Sequence, residues 1–292
     1  MKTRLALVRT EELRIGAGSP LAGFYKLSPY VWREQDRYHI MLRGVNPSPN
    51  PVEKIARVYH GIGEDGLCFR MDREPAIAPG TEDDRDGCED PTVVVGPGSY
   101  IVYYSGWNQQ RKQGALLYAA GGDIRALEKR GRALPGDPRF TNCKECTIAN
   151  TGSGYRMFFE YSHNSSSLVG VADSESLTGP WAYADPLFLP RPGMWDCRHL
   201  SPGPIIEGPS GRPIMFYNGA DSQARWRIGC VEFRHDLRSV YNRCDEPLIV
   251  PSGVSGGDTD IAFAASAVDG EQIELYYSVS DRFMNRAIFR LV

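Results

Sequence analysis

A chain of 292 residues can bury a large core in one or two domains, and its 41% hydrophobic and 24% charged content is that of an ordinary soluble globular protein. The formal net charge of -3, with acids and bases interspersed, argues against nucleic acid or an anionic membrane as the main partner. Leu5-Ala6-Leu7-Val8 is too short for the apolar segment of a secretion signal, and no other apolar run approaches bilayer-spanning length.

Short β-branched and aromatic runs, separated by Gly, Pro, Asn and Asp, follow one another along the chain. Residues 28–32, 38–43 and 55–59 form a first set, and 90–93, 99–104 and 115–119 a second. The third comprises 145–148, 155–160 and 167–172, the fourth 201–206, 213–217 and 227–231, and the fifth 260–263, 273–277 and 286–289. Residues 128–134 read as an outer strand, and 124–130 as the one short helix-like stretch. Units of roughly 50–60 residues match the blade length of a β-propeller. The predicted fold is therefore all-β, a single five-bladed β-propeller over 1–292. The last unit lacks an outer strand, which residues 3–8 would supply, closing the ring and hiding its sheet edges. A β-sandwich or two stacked β domains is the competing architecture, but no linker-like stretch divides the chain.

The seven cysteines are odd in number and scattered, which predicts reduced thiols and a cytoplasmic location. Cys143-Lys144-Glu145-Cys146 has CxxC spacing without the second CxxC that a zinc site would need. No cofactor or metal is called for, and phosphate-loop, dinucleotide, HExxH and GxSxG motifs are absent.

In a propeller the first residues of the inner strands converge on one end of the channel. Asp90 in Glu89-Asp90-Pro91, Glu145, Asp196 with His199, and Asp258 with Asp260 occupy such positions. Pro91 should push Asp90 into an extended conformation at the head of a buried strand. Acids gathered in one funnel lose solvation and repel one another, so some pKa values rise. Glycoside hydrolysis needs that environment, one carboxyl protonated to serve the leaving oxygen and one ionised to act on water. Tyr104, Trp107 and Trp195 are candidate sugar-facing aromatics, and Arg43, Lys144, Arg198, His199, Asn218 and Asp260 candidate hydroxyl partners. The same residues could instead cap turns or pack between blades.

Glu89-Asp90-Pro91, Lys144, Trp195 and Ser201-Pro202-Gly203-Pro204, with Arg43, resemble glycoside hydrolase family 130, the β-mannoside phosphorylases and mannosidases. The resemblance implies a five-bladed propeller and an inverting mechanism with Asp90 as general acid. Three positions depart from the phosphorylase pattern: Thr92 for an arginine, Glu145 for an asparagine, and Asn218 for a histidine. Exchanging donors for a carboxylate weakens a phosphate site and supplies a base for water. The expected function is hydrolysis of a small oligosaccharide, a β-mannoside, with Asp90 as acid and Glu145, then Asp196, as base. The alternatives are phosphorolysis, a silent sugar-binding propeller, and a family 43-like furanosidase or xylosidase, whose first-blade aspartate is here replaced by Ser28. An inverting pair should stand roughly 6.5–9.5 Å apart.

Overall fold

The computed structural model describes residues 4–251 and 260–292. Apart from one 3-10 turn at Pro51–Glu53, its regular structure is all strand. Antiparallel runs repeat down the chain: Tyr25–Glu34, Arg37–Val45, Ala56–Gly63 and Cys68–Met71, then Gly87–Gly96, Ser99–Asn108, Gln113–Gly121 and Glu128–Arg132. These two groups join through a single parallel bridge, Ala56 to Gly87. Thr141–Asn150, Tyr155–His163, Ser166–Ser174 and Ala182–Ala184 form a separate sheet. His199–Ser201 and Ile205–Glu207 pair with Pro213–Ala220, followed by Trp226–Phe233 and Val240–Arg243. Ala262–Val268, Ile273–Val279 and Phe283–Leu291 make the last sheet, on which Leu5–Glu12 lies antiparallel from Leu5 opposite Leu291 to Glu12 opposite Asn285.

The short helix expected over 124–130 does not form. Asp123 accepts from the Arg125 amide at 3.0 Å, fixing a turn that buries Ile124 and leads directly into Glu128–Arg132. Local side-chain bonding of this kind competes with helix formation.

The paired aromatics of the middle strands explain how the sheets pack. Neighbouring strand residues point to opposite faces. Tyr104 therefore packs with Met41 and Val58 on one side, while Tyr103 meets Met157 and Phe159 on the other. Phe158 faces Tyr217 and Phe233, Phe216 faces Leu275 and Phe289, and Tyr276 returns to Ile40 and Phe69. Each sheet is thus buried on both faces, and the final group packs against the first. Burying each such side chain contributes roughly 1.5–3 kcal/mol.

Between inner strands, polar side chains replace a backbone ladder. Thr92 Oγ1 donates to the Cys146 carbonyl at 2.6 Å, Tyr30 OH to Val93 at 3.0 Å, and Ser266 Oγ accepts from the Val31 amide at 2.7 Å. Asn218 donates to Pro202 and Ala264 carbonyls and accepts from the Ala264 amide at 2.7 Å.

One contact within the first group of strands carries a pH prediction. His39 Nδ1 lies 3.1 Å from His60 Nε2, His60 Nδ1 is 2.7 Å from Asp72, and Trp32 stacks on His39. Burial and the facing imidazole lower the pKa of His39; burial lowers that of His60 against the opposing pull of Asp72. Glu34 and Asp123 raise these values while Arg37 and Arg125 lower them, without reversing the net direction. Groups whose folded pKa is depressed protonate more readily when unfolded. Their contribution is fully present above the unfolded value near 6.5 and is lost as pH falls toward the folded values. The melting temperature should drop between pH 7.5 and 5, and His39→Gln should flatten that slope; an equal slope in the variant would remove the pair as its cause.

Candidate active site

Three inner strands break register at corresponding places: between Leu27 and Tyr30, between Glu89 and Thr92, and across Lys144 to Cys146. The residue at each break has a left-handed backbone, with φ of 50° at Ser28, 46° at Asp90 and 24° at Glu145. A bulge leaves one residue unpaired and re-aims its side chain. For residues other than glycine this conformation costs about 1–2 kcal/mol, so three of them around one hollow mark a functional region. Asp90 is therefore not extended, as Pro91 led us to expect. A short polar side chain tolerates this region, and its carboxyl is tied down: Ser28 Oγ donates to Oδ1 at 2.5 Å and Arg43 Nη1 lies 3.3 Å away.

Arg43 also reaches Glu89 with Nη2 at 2.7 Å, while its Nε is buried and has no hydrogen-bond partner among the described residues. The Glu145 carboxyl lies within hydrogen-bonding reach of Asp90, and its Oε2 likewise has no partner among the described residues. Lys144, opposite Glu160 in the sheet, stands 3.6 Å from it, and Ser167 Oγ donates to Glu160 at 2.8 Å. Burial would raise the pKa of Asp90, but the Arg43 guanidinium and the Ser28 hydroxyl outweigh it and hold Asp90 below the usual range. Glu145 is driven well above its ordinary value by burial and then by the Glu160 charge, against the pull of Lys144. Burial raises Glu89 and Asp281 as well, each further raised by Asp90. Burial and Glu160 thus favour the protonated form of Glu145, while Arg43 and Ser28 favour the ionised form of Asp90.

These groups line a cavity of about 210 Å³ holding four carboxylates (Asp90, Glu145, Glu160, Asp281) against two cations, Arg43 and Lys144. Beyond Asp90 and Glu145 it narrows to a space of about 30 Å³ bounded by Thr92, Gly203 and Ala264, the share of a single water in the liquid, roughly 30 Å³. A larger hollow of about 530 Å³ beside Gly16 and Cys68 is lined by surface charges of both signs. Among the described residues no group of three or more His, Cys, Asp or Glu side chains could hold a metal ion.

Asp90, Glu145, Arg43 and Lys144 come together as expected from the sequence. The carboxyl pair itself is in contact, far closer than the spacing expected for an inverting acid and base. Asp196 does not join them. It is fully buried in an ion cluster, 2.9 Å from Arg191 and 2.5 Å from Arg243, and accepts from Tyr217 OH at 2.6 Å. Tyr104 is a core residue donating to Asp84, and Trp107 donates to Gln109 on its own hairpin. Trp195 stacks on Tyr217 and donates to the Asp245 carbonyl, so its face is used internally. Asn218 is spent on the inner-strand bonds described above. Arg198 donates to the Asn164 and Ser165 carbonyls, and His199 accepts from the Ser167 amide, so both stand behind the cavity wall. Asp260 pairs with Arg227 at 2.7 Å beside the lining residues Trp226 and Ile261. Asp258 lies outside the described residues.

Sequence reasoning missed Ser28 as a carboxylate partner, along with Glu160, Asp281, Trp226 and Phe263. Glu160 did carry a signal: an acid closing the run Met157-Phe158-Phe159 is out of place in a buried strand unless it has a partner. Asp281 sits with Ser280 at a hairpin tip, both with positive φ, which looks like simple turn chemistry.

Sheets buried on both faces and a cavity rich in carboxylates fit a carbohydrate-active enzyme of propeller type. The family model of the β-1,4-mannooligosaccharide phosphorylases matches residues 50–290, and the chain belongs to that family, glycoside hydrolase family 130. It is 24% identical over 265 residues to a 1,2-β-oligomannan phosphorylase of Thermoanaerobacter sp. (strain X514), covering 87% of this chain and 86% of the relative. The β-1,2-mannobiose phosphorylase of Listeria innocua, solved with β-1,2-mannobiose, superposes with a TM-score of 0.78 at 18% identity, covering 96% of both chains. A structure described with glycoside hydrolases of this family that target β-1,2 mannosidic linkages in Candida mannan gives 0.78 at 23% identity, covering 91% of this chain and 84% of that one.

Proposed function

We propose that the protein hydrolyses a small β-mannoside at the Asp90–Glu145 cavity of a five-bladed propeller whose last blade is completed by Leu5–Glu12. The charge balance carries this reading: four carboxylates against two cations. Both cations are already engaged, Arg43 by Glu89 and Asp90 and Lys144 by Glu160. A phosphate entering this cavity would meet carboxylates at close range in a low-dielectric setting, where like charges repel strongly. Thr92 and Asn218, standing where the phosphorylases carry cationic or donor side chains, are committed to inner-strand hydrogen bonds.

The contact between the carboxyls is compatible with inversion if Asp90 acts through a sugar hydroxyl. Direct attack and protonation need a gap of roughly 6.5–9.5 Å for water. A hydroxyl relay moves the point of protonation away from Asp90 and restores that room. In this cycle a proton passes from Glu145 to Asp90 once the substrate is bound. One transfer then yields an acid at Asp90 and an ionised base at Glu145, which takes a proton from the attacking water. The seven free thiols support a reducing, cytoplasmic setting.

Incubating the protein with β-linked mannobioses, with and without inorganic phosphate, tests the reading. Free mannose independent of phosphate is the expected product. Mannose 1-phosphate formed only with phosphate would replace hydrolysis by phosphorolysis, and no product from any linkage would favour a binding role.

A further inference from the structure

We infer that Trp226 is the binding platform for the leaving-group sugar, a second pyranose stacked by its apolar face at the mouth of the cavity. The inference rests on the glycosidase reading. Trp226 opens the strand Trp226–Phe233 and is half-buried. Its amide donates to the Asp260 carbonyl at 3.0 Å, and it bridges in parallel to Ile261. The indole is braced on two sides, by His199 with ring centres 5.6 Å apart and by Phe263 at 5.2 Å. With Ile261 and Phe263 it gives the cavity an apolar patch from the last two groups of strands, where Ser278 and Asp281 also line it, whereas Arg43, Asp90, Lys144, Glu145 and Glu160 come from the first three groups.

Volume and chemistry then divide the substrate. About 210 Å³ is roughly seven water volumes, room for one hexose, and the space beyond the carboxyls takes only a water. The ring being cleaved must lie against Asp90 and Glu145, where charged and hydroxyl groups match its own hydroxyls. The second ring of a disaccharide cannot follow it in and projects at the mouth. A sugar ring is amphipathic, with C–H groups gathered on one face. Such a face is best met by a rigid aromatic surface, which gains burial and dispersion without ordering a flexible side chain. A tryptophan used only as core would be covered like Tyr217 or Phe216; Trp226 instead keeps part of its surface on the cavity.

The test compares Trp226→Ala and Trp226→Phe with the parent on mannobiose and on methyl β-mannoside, which lacks a second ring. The ratio of kcat/KM for mannobiose over the methyl glycoside should fall about tenfold in Trp226→Ala, chiefly through KM, with most of it restored in Trp226→Phe. An unchanged ratio, whether both substrates suffer equally or neither does, would overturn the assignment. Titrating the Asp90→Asn protein, with and without Trp226→Ala, with the same two sugars reads the platform without turnover. Loss of affinity confined to mannobiose is expected there, and equal affinities overturn the proposal. Should the parent protein cleave nothing, the catalytic reading fails while this titration still decides the platform. Circular dichroism confirms that each variant is folded.

Discussion

Asp90→Asn should lose about 10²–10⁴-fold in kcat on mannobiose while remaining folded, the range that a positioned proton donor supplies. Asparagine keeps the shape of the side chain and can still accept from Ser28, so the bulge at this position has no new reason to relax. What disappears is the ability to carry a proton between Glu145 and the leaving oxygen. An aryl β-mannoside with an acidic leaving group needs no such proton, and the variant should recover much of its rate on that substrate. Glu145→Gln should show the opposite pattern, equally slow on both substrates, because the base is needed whatever leaves. Parent-like turnover by Asp90→Asn would remove Asp90 from the chemistry. Recovery of Glu145→Gln on the aryl substrate would exchange the two roles, an outcome the resting protonation of the pair makes worth testing.

The sheet repeat was legible because its code is local. The middle strands after the first carry adjacent aromatics, and period-two alternation alone sends Tyr103 and Tyr104, or Phe158 and Phe159, into different interfaces. Asp90 was legible from its place before Pro91 and a β-branched run, although the same proline misled about its backbone. Proline's preference is a local term. It was overridden by a bulge whose carboxyl is anchored to Ser28 and Arg43, 62 and 47 residues away in the chain. Asp281 and Trp226 were illegible for a related reason. Nothing near either residue in sequence distinguishes it from an ordinary turn aspartate or packing tryptophan; only the convergence of distant strands gives it a ligand to meet. Trp195 shows the converse. Its sequence context matched a sugar-site aromatic, yet Gly219 and Gly229 leave room for the indole against their own strands, where side chains would collide with it.

Asp196 poses the sharpest contrast between sequence position and structural role, and Asp196→Ala should be among the most destabilising single substitutions in the chain. Its carboxylate is fully buried and is the common acceptor for Arg191, Arg243 and Tyr217. Arg191 further donates to the Cys244 carbonyl at 2.8 Å and Arg243 to that of Leu189 at 2.7 Å, while Arg243 stacks over Tyr217 and Phe188. Removing the acid leaves Arg243 without its counter-charge, Arg191 with only the exposed Asp245 carboxylate 3.6 Å away, and a buried phenol without its acceptor. Breaking a buried pair by deleting one partner costs about 3–5 kcal/mol, because the remaining charge has lost both water and its partner. At roughly 2–4 °C per kcal/mol for a chain of this size class, the melting temperature should fall by about 6–20 °C. Asp196→Asn, which keeps the volume and one acceptor, should fall less. The decisive measurement is kcat of Asp196→Asn well below its own melting point: close to the parent if the residue is a structural hub, and as depressed as Glu145→Gln if it activates water. Asp196 is not among the residues lining the cavity, and a carboxylate whose oxygens are already held by two arginines and a tyrosine has little capacity left to accept a proton from water, which argues for the first result.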